Sequence, residues 1–386
     1  MKLLVISHTP HYRAPNGELQ GWAPTVRELD HLAPLFSRVV HLAPLYDGDP
    51  PASSAPYGTA NVELSPLRPT GGDGLAAKWG ILRYGPTLWR RIDAAYRAAD
   101  VVHVRAPANI AATALLYLDT RRDPKPSWVK YAGNWRPEAH TDYPAYRFQR
   151  RRLQRPRPRR IVTVNGRWPG DGEHIRPFLN PCLSDDEWSA ARRAAAGKFY
   201  GDPLRLLFVG RLDEQKGALR AVRITRRLQG LGLAVELTVA GDGPEAPAIE
   251  AAAQGGDGIR WVGWQSRAEI DRLYGAAHLL LLPSVSEGWP KVLSEAMAHG
   301  ALPVAGDVSA IGQILRELQP GPEPVGWVLP ARDEDAFVDL IQAVWEKPKR
   351  LAAGAQVASQ AAGAFTYGVH VERVRSLYRR LGVTLG

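Results

Sequence analysis

Short unbroken apolar runs recur along the chain, each bounded by Gly, Pro or Asn and separated by stretches with apolar residues at helical spacing. In the first half KLLVISH, RVVHLAP, ANVELSP, DVVHVRA, SWVKYAG and RIVTVN read as strands, and APTVRELDHLA, TLWRRIDAAYRAA and ANIAATALLYLDTRR as helices. This alternation predicts an α/β fold with a parallel sheet covered on both faces. From Trp168 to Lys198 the rhythm breaks into WPGDGEHIRPFLNPCLSDDEW, punctuation typical of a connection, and the domain boundary is placed there. The pattern then restarts with LRLLFVG, AVELTVAG, GIRWVG, HLLLLPS, ALPVAG and VGWVLP. Two doubly wound Rossmann-like units in series are expected, over 1–180 and 181–364. The last helical segment, FTYGVHVERVRSLYRRLG, has no strand after it and is free to pack elsewhere, so residues 365–386 are assigned to the first domain.

One segment after an apolar run carries paired carboxylates. In SEGWPKVLSEAMAHG, Gly288 allows a tight turn and Pro290 suits the first helical position. Val292, Leu293, Ala296 and Met297 would form the buried face, Gly300 would end the helix, and Glu295 would lie on a flank. Ligands of open α/β sheets bind outside the carboxyl ends of strands, where helix N-termini offer amides to anions. The amides of Lys291 and Val292 would thus face a phosphate, and Glu287 and Glu295 the hydroxyls of the same ligand. Phosphate flanked by diols describes a sugar nucleotide. The plainer alternative is a turn residue and a solvated helix residue. FVGRLDEQKG adds Arg211 and Lys216 at the same rim of the same sheet, a fork of donors and a point charge able to neutralise a diphosphate leaving group without a metal.

Length, charge and cysteine count narrow the setting. The 386 residues, 45% hydrophobic and 23% charged, suit two globular domains. A lone Cys182 excludes an intramolecular disulfide and fits a reducing cytoplasm. MKLLVIS is too short for a signal peptide, and no segment approaches a membrane span. The net charge of +10 points to an anionic partner, and YPAYRFQRRRLQRPRPRR holds eight arginines with no acid. Arg150, Arg151 and Arg152 are therefore candidates for peripheral docking on an anionic membrane surface, the alternative being a solvated helix face. Nucleic acid is not expected.

VGRLDEQKG, VAGDGPE, WVGW with its following helix, and PSVSEGWPKVLSEAMAHGALPVAG occur in that order, and the second half resembles the donor domain of the retaining glycosyltransferases of family 4. The closing FTYGVHVERVRSLYRR resembles the family's final helix, which returns to the N-terminal domain. The resemblance implies the GT-B fold, two Rossmann-like domains facing a central cleft, with an acceptor side in the first and a nucleotide-sugar donor side in the second. It implies that Arg211 and Lys216 hold the donor diphosphate, that Glu287 holds hydroxyls of the transferred sugar near its anomeric carbon, and that Glu295 binds the ribose. The loop around Val262 would meet the base, and Gly288, Trp289, Lys291 and Val292 would complete the donor loop.

In the first half only Gly17 matches the family's glycine loop. Gly133, Asn134 and Trp135 stand where a sugar-facing histidine is common, so Asn134 is the substitute contact, and Trp135 and Trp22 are candidates for stacking on a sugar. Local packing is the alternative for both tryptophans. The co-substrate would be a nucleotide-diphosphate sugar, the acceptor a sugar or lipid-linked hydroxyl in cell-surface polysaccharide or glycolipid assembly, and no metal is expected. An Asp-x-Asp metal site at Asp47 and Asp49 is a rival reading that turn chemistry explains better, and Asp333 and Asp335 suit a helix N-terminus. Other classes remain open: a non-catalytic protein binding membrane or nucleic acid on the same fold, or a sugar phosphorylase or epimerase.

Overall fold

A computed structural model describes residues 1–69, 75–137, 142–256 and 258–385, with 75–82 described by their backbone alone. Residue 386, the last of the C-terminal segment, lies outside them. The chain divides into unit 1, Met1–Phe178 with His370–Gly386, and unit 2, Leu179–Val369.

Among the described residues unit 1 contains ten strands: β1 (Lys2–Ile6), β2 (His11–Arg13), β3 (Leu19–Trp22), β4 (Arg38–Pro44), β5 (Ser54–Pro56), β6 (Val62–Leu67), β7 (Val101–Ala106), β8 (Ser127–Tyr131), β9 (Arg160–Val164) and β10 (Ile175–Pro177). Seven form one parallel sheet in the order β10-β9-β8-β7-β1-β4-β6. Side chains alternate across a strand, so Leu4 and Ile6 enter one core with Val102, Val104, Val129 and Val162. Leu3 and Val5 enter the other, with Trp128, Ile161 and Phe178. That second core is completed by Val374, Leu377 and Tyr378 of the helix Tyr367–Arg380 and by Leu381, Val383 and Leu385, so the closing segment is part of the unit 1 core. β2, β3 and β5 form a small antiparallel sheet absent from the sequence expectation. The stretch 168–198, expected to be a connection, contains β10 and the helix Asp185–Ala196. Ser184 and Glu187 close a capping box at the start of that helix, a local signal the punctuation obscured.

Unit 2 adds β11 (Leu204–Val209), β12 (Val235–Ala240), β13 (Ile259–Trp261), β14 (Leu279–Leu282), β15 (Leu302–Gly306) and β16 (Trp327–Leu329), all parallel, in the order β13-β12-β11-β14-β15-β16. The first strand of each unit is central and the chain builds outward first to one side and then to the other. The direction reverses between β1 and β7 and between β11 and β14, and such switch points open a crevice at the carboxyl ends of the strands. In unit 2 this edge is drawn tight by glycine. Gly241 after β12 has φ +138°, and a Cβ there would sit 1.8 Å from the carbonyl oxygen of Gly210 after β11.

Candidate functional site

The two loops that leave β11 and β14 meet across the unit 2 switch point. Gly217, at φ +79°, permits the approach, since a Cβ would lie 2.6 Å from the Pro283 carbonyl oxygen. Buried Arg220, from the helix Ala218–Gly230, donates from Nε to Pro283 O at 3.0 Å and from Nη2 to Glu214 O at 2.8 Å. The Ser284 hydroxyl donates to Lys216 O at 3.2 Å, and the Val285 amide to Gln215 O at 2.9 Å. The loops are thus one hydrogen-bonded body, and what they present is held in place.

Arg211 is largely exposed and donates to buried Asp213, whose other oxygen accepts the Lys216 amide at 2.8 Å. Burial pushes the Asp213 carboxyl up, but the Lys216 amide and the Arg211 guanidinium outweigh it and leave the group below its ordinary range. Lys216 Nζ donates to Glu287 Oε2 at 2.7 Å. The Glu287 side chain is 6% exposed and that of Lys216 30%, so the cation sits at the mouth and the carboxylate beneath it.

The helix after this loop runs Lys291–Ala298, with Pro290 as its N-cap at φ −75° and ψ 115°. Pro290, expected at the first helical position, instead stands one residue before it, and the amides of Lys291 and Val292 belong to the first turn. Gly300, at φ +71°, lies just past the His299 cap. Glu295 is not on a flank: Leu293 through Ala298 are all buried, and Val292 is only half-buried. From the helix Arg267–Ala276, Arg267 Nη1 donates to Glu295 Oε1 at 2.6 Å, and the Tyr274 hydroxyl donates to Oε2 at 3.1 Å. Burial opposes the Arg267 charge, yet Glu295 and Asp271 hold its pKa above the usual value. Burial first, then the Glu295 charge, pushes the Tyr274 phenol well up. Arg267, Tyr274, Asp213 and Arg220 were not singled out from the sequence. The partners of Glu295 lie 28 and 21 residues away on another helix, and local spacing carries no trace of them.

The Trp289 indole is buried, stacks on Phe365 with ring centroids 5.1 Å apart and donates to the Ser294 hydroxyl, so its ring supports the loop from within; Gly288 beside it is half-buried. At the carboxyl end of β13, Val262 is half-buried and its amide donates to Val239 O at 3.0 Å. Two residues on, Trp264 is 53% exposed and presents the ring that Trp289 does not. The signal for it was the second tryptophan of WVGW.

Unit 1 places its candidates differently. Gly17, at φ +84°, turns the exposed hairpin between β2 and β3, and Trp22 at the end of β3 is exposed. Asn134 uses its Oδ1 on the Arg136 amide, a local turn bond. Trp135 is buried, edge-on to Tyr131, with Nε1 donating to the Asp171 carboxylate at 3.0 and 3.2 Å, so packing is its role and stacking on a sugar is not.

Sequence reasoning also missed two buried polar groups of unit 1. Glu28 accepts from Arg105 at 2.7 Å and from Lys130 at 2.8 Å, and His370 lies 3.6 Å away. Those cations, Arg105 foremost, overcome the burial that pushes Glu28 up and hold it well below the carboxylate range. The Tyr57 hydroxyl bridges His11 at 2.8 Å and His41 at 2.6 Å, and His41 reaches the Ser7 hydroxyl at 2.6 Å.

Asp47 and Asp49 are exposed in the bend after β4, while Asp333 caps the helix Glu334–Trp345 through the Ala336 amide and Asp335 pairs with Arg227. The arginine run forms the helix Pro144–Leu153 and the loop after it, and its charges are not equivalent. Arg150 is buried against the Tyr131 hydroxyl and Asp142, and Arg152 pairs with Asp119, so of the three docking candidates only Arg151 faces solvent. Among the described residues no helix is long and apolar enough to cross a membrane.

Residues 203–347 match the family described as Glycosyl transferases group 1, so unit 2 carries a domain of that kind. Among curated relatives, the chain is 32% identical over 148 residues to the amylovoran biosynthesis glycosyltransferase AmsK of Erwinia amylovora, an alignment covering 36% of this chain and 35% of AmsK. The matches span between 35% and 56% of the curated relatives' own length. Among solved structures, sucrose-phosphate synthase from Thermosynechococcus elongatus superposes with a TM-score of 0.70 at 18% identity, over 99% of each chain. HepE of Anabaena, solved with UDP and glucose, gives 0.65 at 17% identity over 98% of this chain and all of its own. These two likenesses establish the fold, that of the GT-B glycosyltransferases.

Proposed function

We propose that the protein is a retaining glycosyltransferase that moves a sugar from a nucleoside-diphosphate sugar to an acceptor hydroxyl, without a metal ion, in the assembly of a cell-surface polysaccharide or glycolipid. The observation that carries this is the 2.7 Å contact between Lys216 and Glu287 across the switch point, with Arg211 on the same rim. A cation at the mouth and a carboxylate beneath it suit a ligand that is anionic at one end and hydroxylated at the next. UDP and glucose in HepE, and the polysaccharide role in the name of AmsK, support the same substrate class.

In this reading unit 2 binds the donor and unit 1 the acceptor, on the cytoplasmic side. Arg211 and Lys216 take the diphosphate, aided by the first-turn amides at 291 and 292. Glu295 has two oxygens engaged by Arg267 and Tyr274, and a carboxylate has about four acceptor positions, so two remain for the ribose. Val262 and the exposed ring of Trp264 stand at the base end. As the C1–O bond to the donor phosphate breaks, its electron pair goes to the phosphate oxygen, stabilised by Lys216 and Arg211. The acceptor oxygen bonds to C1 on the same face and its proton passes to that phosphate oxygen. Glu287 faces the cationic sugar ring.

The test is release of nucleoside diphosphate from a panel of nucleotide sugars, with EDTA present. Turnover that survives EDTA and yields a glycoside of unchanged anomeric configuration supports the reading. Turnover abolished by EDTA and restored by Mn²⁺, an inverted product, or release that requires inorganic phosphate as acceptor contradicts it.

A further inference from the structure

A second cationic site lies in unit 1 at the amino-terminal ends of its strands, the sheet edge opposite the one that carries Asn134. A groove of about 800 Å³ opens where β9 and β10 begin, within the size range of small-molecule sites. It is lined by Arg159, Arg160, Arg176 and Arg380, with Glu173 the one carboxylate on its wall among the described residues. Among the described residues, the side chains of Arg159, Arg176 and Arg380 make no hydrogen bond or ion pair.

Arg160 is 5% exposed and donates from Nη1 to Asp119 at 2.8 Å, while its buried Nε has no acceptor among the described residues. Asp119 is shared behind the groove with Arg152 at 3.0 Å and Arg157 at 3.4 Å, so three guanidiniums bear on one carboxylate. Burial, and the Arg157 and Arg152 charges, pull the Arg160 pKa down against the effect of Asp119. Arg159 holds φ +51°, a left-handed conformation uncommon outside glycine and asparagine, and its carbonyl is fixed by the Ser127 amide at 2.8 Å. His174, on the wall, is engaged through Nε2 with Leu153 O.

We propose that this groove binds a phosphate group on a small anionic ligand, at a site separate from the nucleotide loops of unit 2. Guanidinium forks match phosphate oxygens two at a time, and the uncompensated positive charge favours a multiply charged group over a lone carboxylate. The phosphate belongs either to a soluble ester or to a phospholipid headgroup, and both present the same oxygens. The inference does not depend on glycosyl transfer.

Calorimetric titration with inorganic pyrophosphate tests it, on the parent, on Arg176→Gln/Arg380→Gln, and on Arg211→Gln as a control for the unit 2 loops. The double variant should bind at least about tenfold more weakly at one site, a site that Arg211→Gln retains. Arg159→Asn should also weaken binding while leaving Tm equal or higher, because asparagine tolerates the left-handed conformation; a merely structural arginine would not separate the two readouts. Sedimentation with phosphatidylcholine vesicles containing phosphatidic acid separates the sources. Capture of the parent but not the double variant assigns the headgroup, and no capture of the parent, or equal capture of both, assigns the soluble ester. Equal pyrophosphate affinity in parent and double variant, or none in either, overturns the proposal.

Discussion

Glu287→Gln should change substrate binding and turnover in opposite directions. Lys216 Nζ lies 2.7 Å from Glu287 Oε2, so the cation assigned to the diphosphate is paired with a carboxylate that is 6% exposed. A diphosphate arriving at Lys216 comes within about 6 Å of that carboxylate, and at effective dielectric constants of about 80 to 20 two unit charges so placed repel by roughly 0.7 to 3 kcal/mol. Burial favours the upper end. Glutamine keeps the shape and still accepts from Lys216, so the loop pair survives and only the charge is lost. Affinity for the free nucleoside diphosphate should therefore rise about 3- to 100-fold. The same charge, facing a sugar that becomes cationic, is then missing from the transition state, and kcat should fall by about 10- to 100-fold. Calorimetry with UDP, GDP and ADP gives the first number, and steady-state release of nucleoside diphosphate gives the second. Affinity unchanged or weakened, with kcat within about twofold of the parent, refutes the placement of Glu287 between phosphate and sugar.

Three further outcomes follow from the contacts. Glu295→Gln removes the carboxylate that Arg267 and Tyr274 share, so urea denaturation should show a loss of about 1.5–3 kcal/mol, with a higher donor KM and little change in kcat; an unchanged KM removes the ribose role. Arg150→Ser leaves Asp142 and the Tyr131 hydroxyl without their buried partner and should cost about 3 kcal/mol, whereas Arg151→Ser should stay within about 0.5 kcal/mol; equal effects would contradict the distinction between them. Burial holds His11 at a pKa of about 4 and lowers His41 and His103 well below the usual value. Between about pH 6.5 and that lower range the unfolded chain binds protons the folded one does not, so stability is full above about pH 6.5 and is lost on acidification, by about 2 kcal/mol at pH 5 for a group like His11. Denaturation at about pH 7.5 and at about pH 5 measures this, and equal stability at both contradicts it.

The main sheets were legible because their strands are buried on both faces, and runs such as LLVI and LLLL have no other soluble reading at that length. The loop motif was legible for a related reason: Gly288 and Pro290 mark a turn by their own backbone chemistry. What escaped was set by partners distant in sequence. Glu295 read as a flank residue because nothing within its helix shows that Arg267 and Tyr274 will cover it. Trp135 read as a stacking surface because it sits in a loop, yet Asp171, more than thirty residues away, draws it inside, and Trp289 is drawn inside by Phe365 in the same way. Composition alone likewise could not sort the arginine run, since Asp142 and Asp119 decide which cations are engaged. β2, β3, β5 and β10 are three or four residues each, too short to show a period.

In the proposed reaction the loops after β11 and β14 bind a nucleoside diphosphate through Lys216 and Arg211. Its most direct test is calorimetric titration of the parent with UDP, GDP and ADP, repeated on Lys216→Gln and Arg211→Gln with whichever nucleotide binds. One nucleotide should bind per chain, weakened at least about tenfold in each variant while Arg176→Gln/Arg380→Gln leaves it intact. No binding of any of the three nucleotides, or parent-like affinity in both Lys216→Gln and Arg211→Gln, would contradict it.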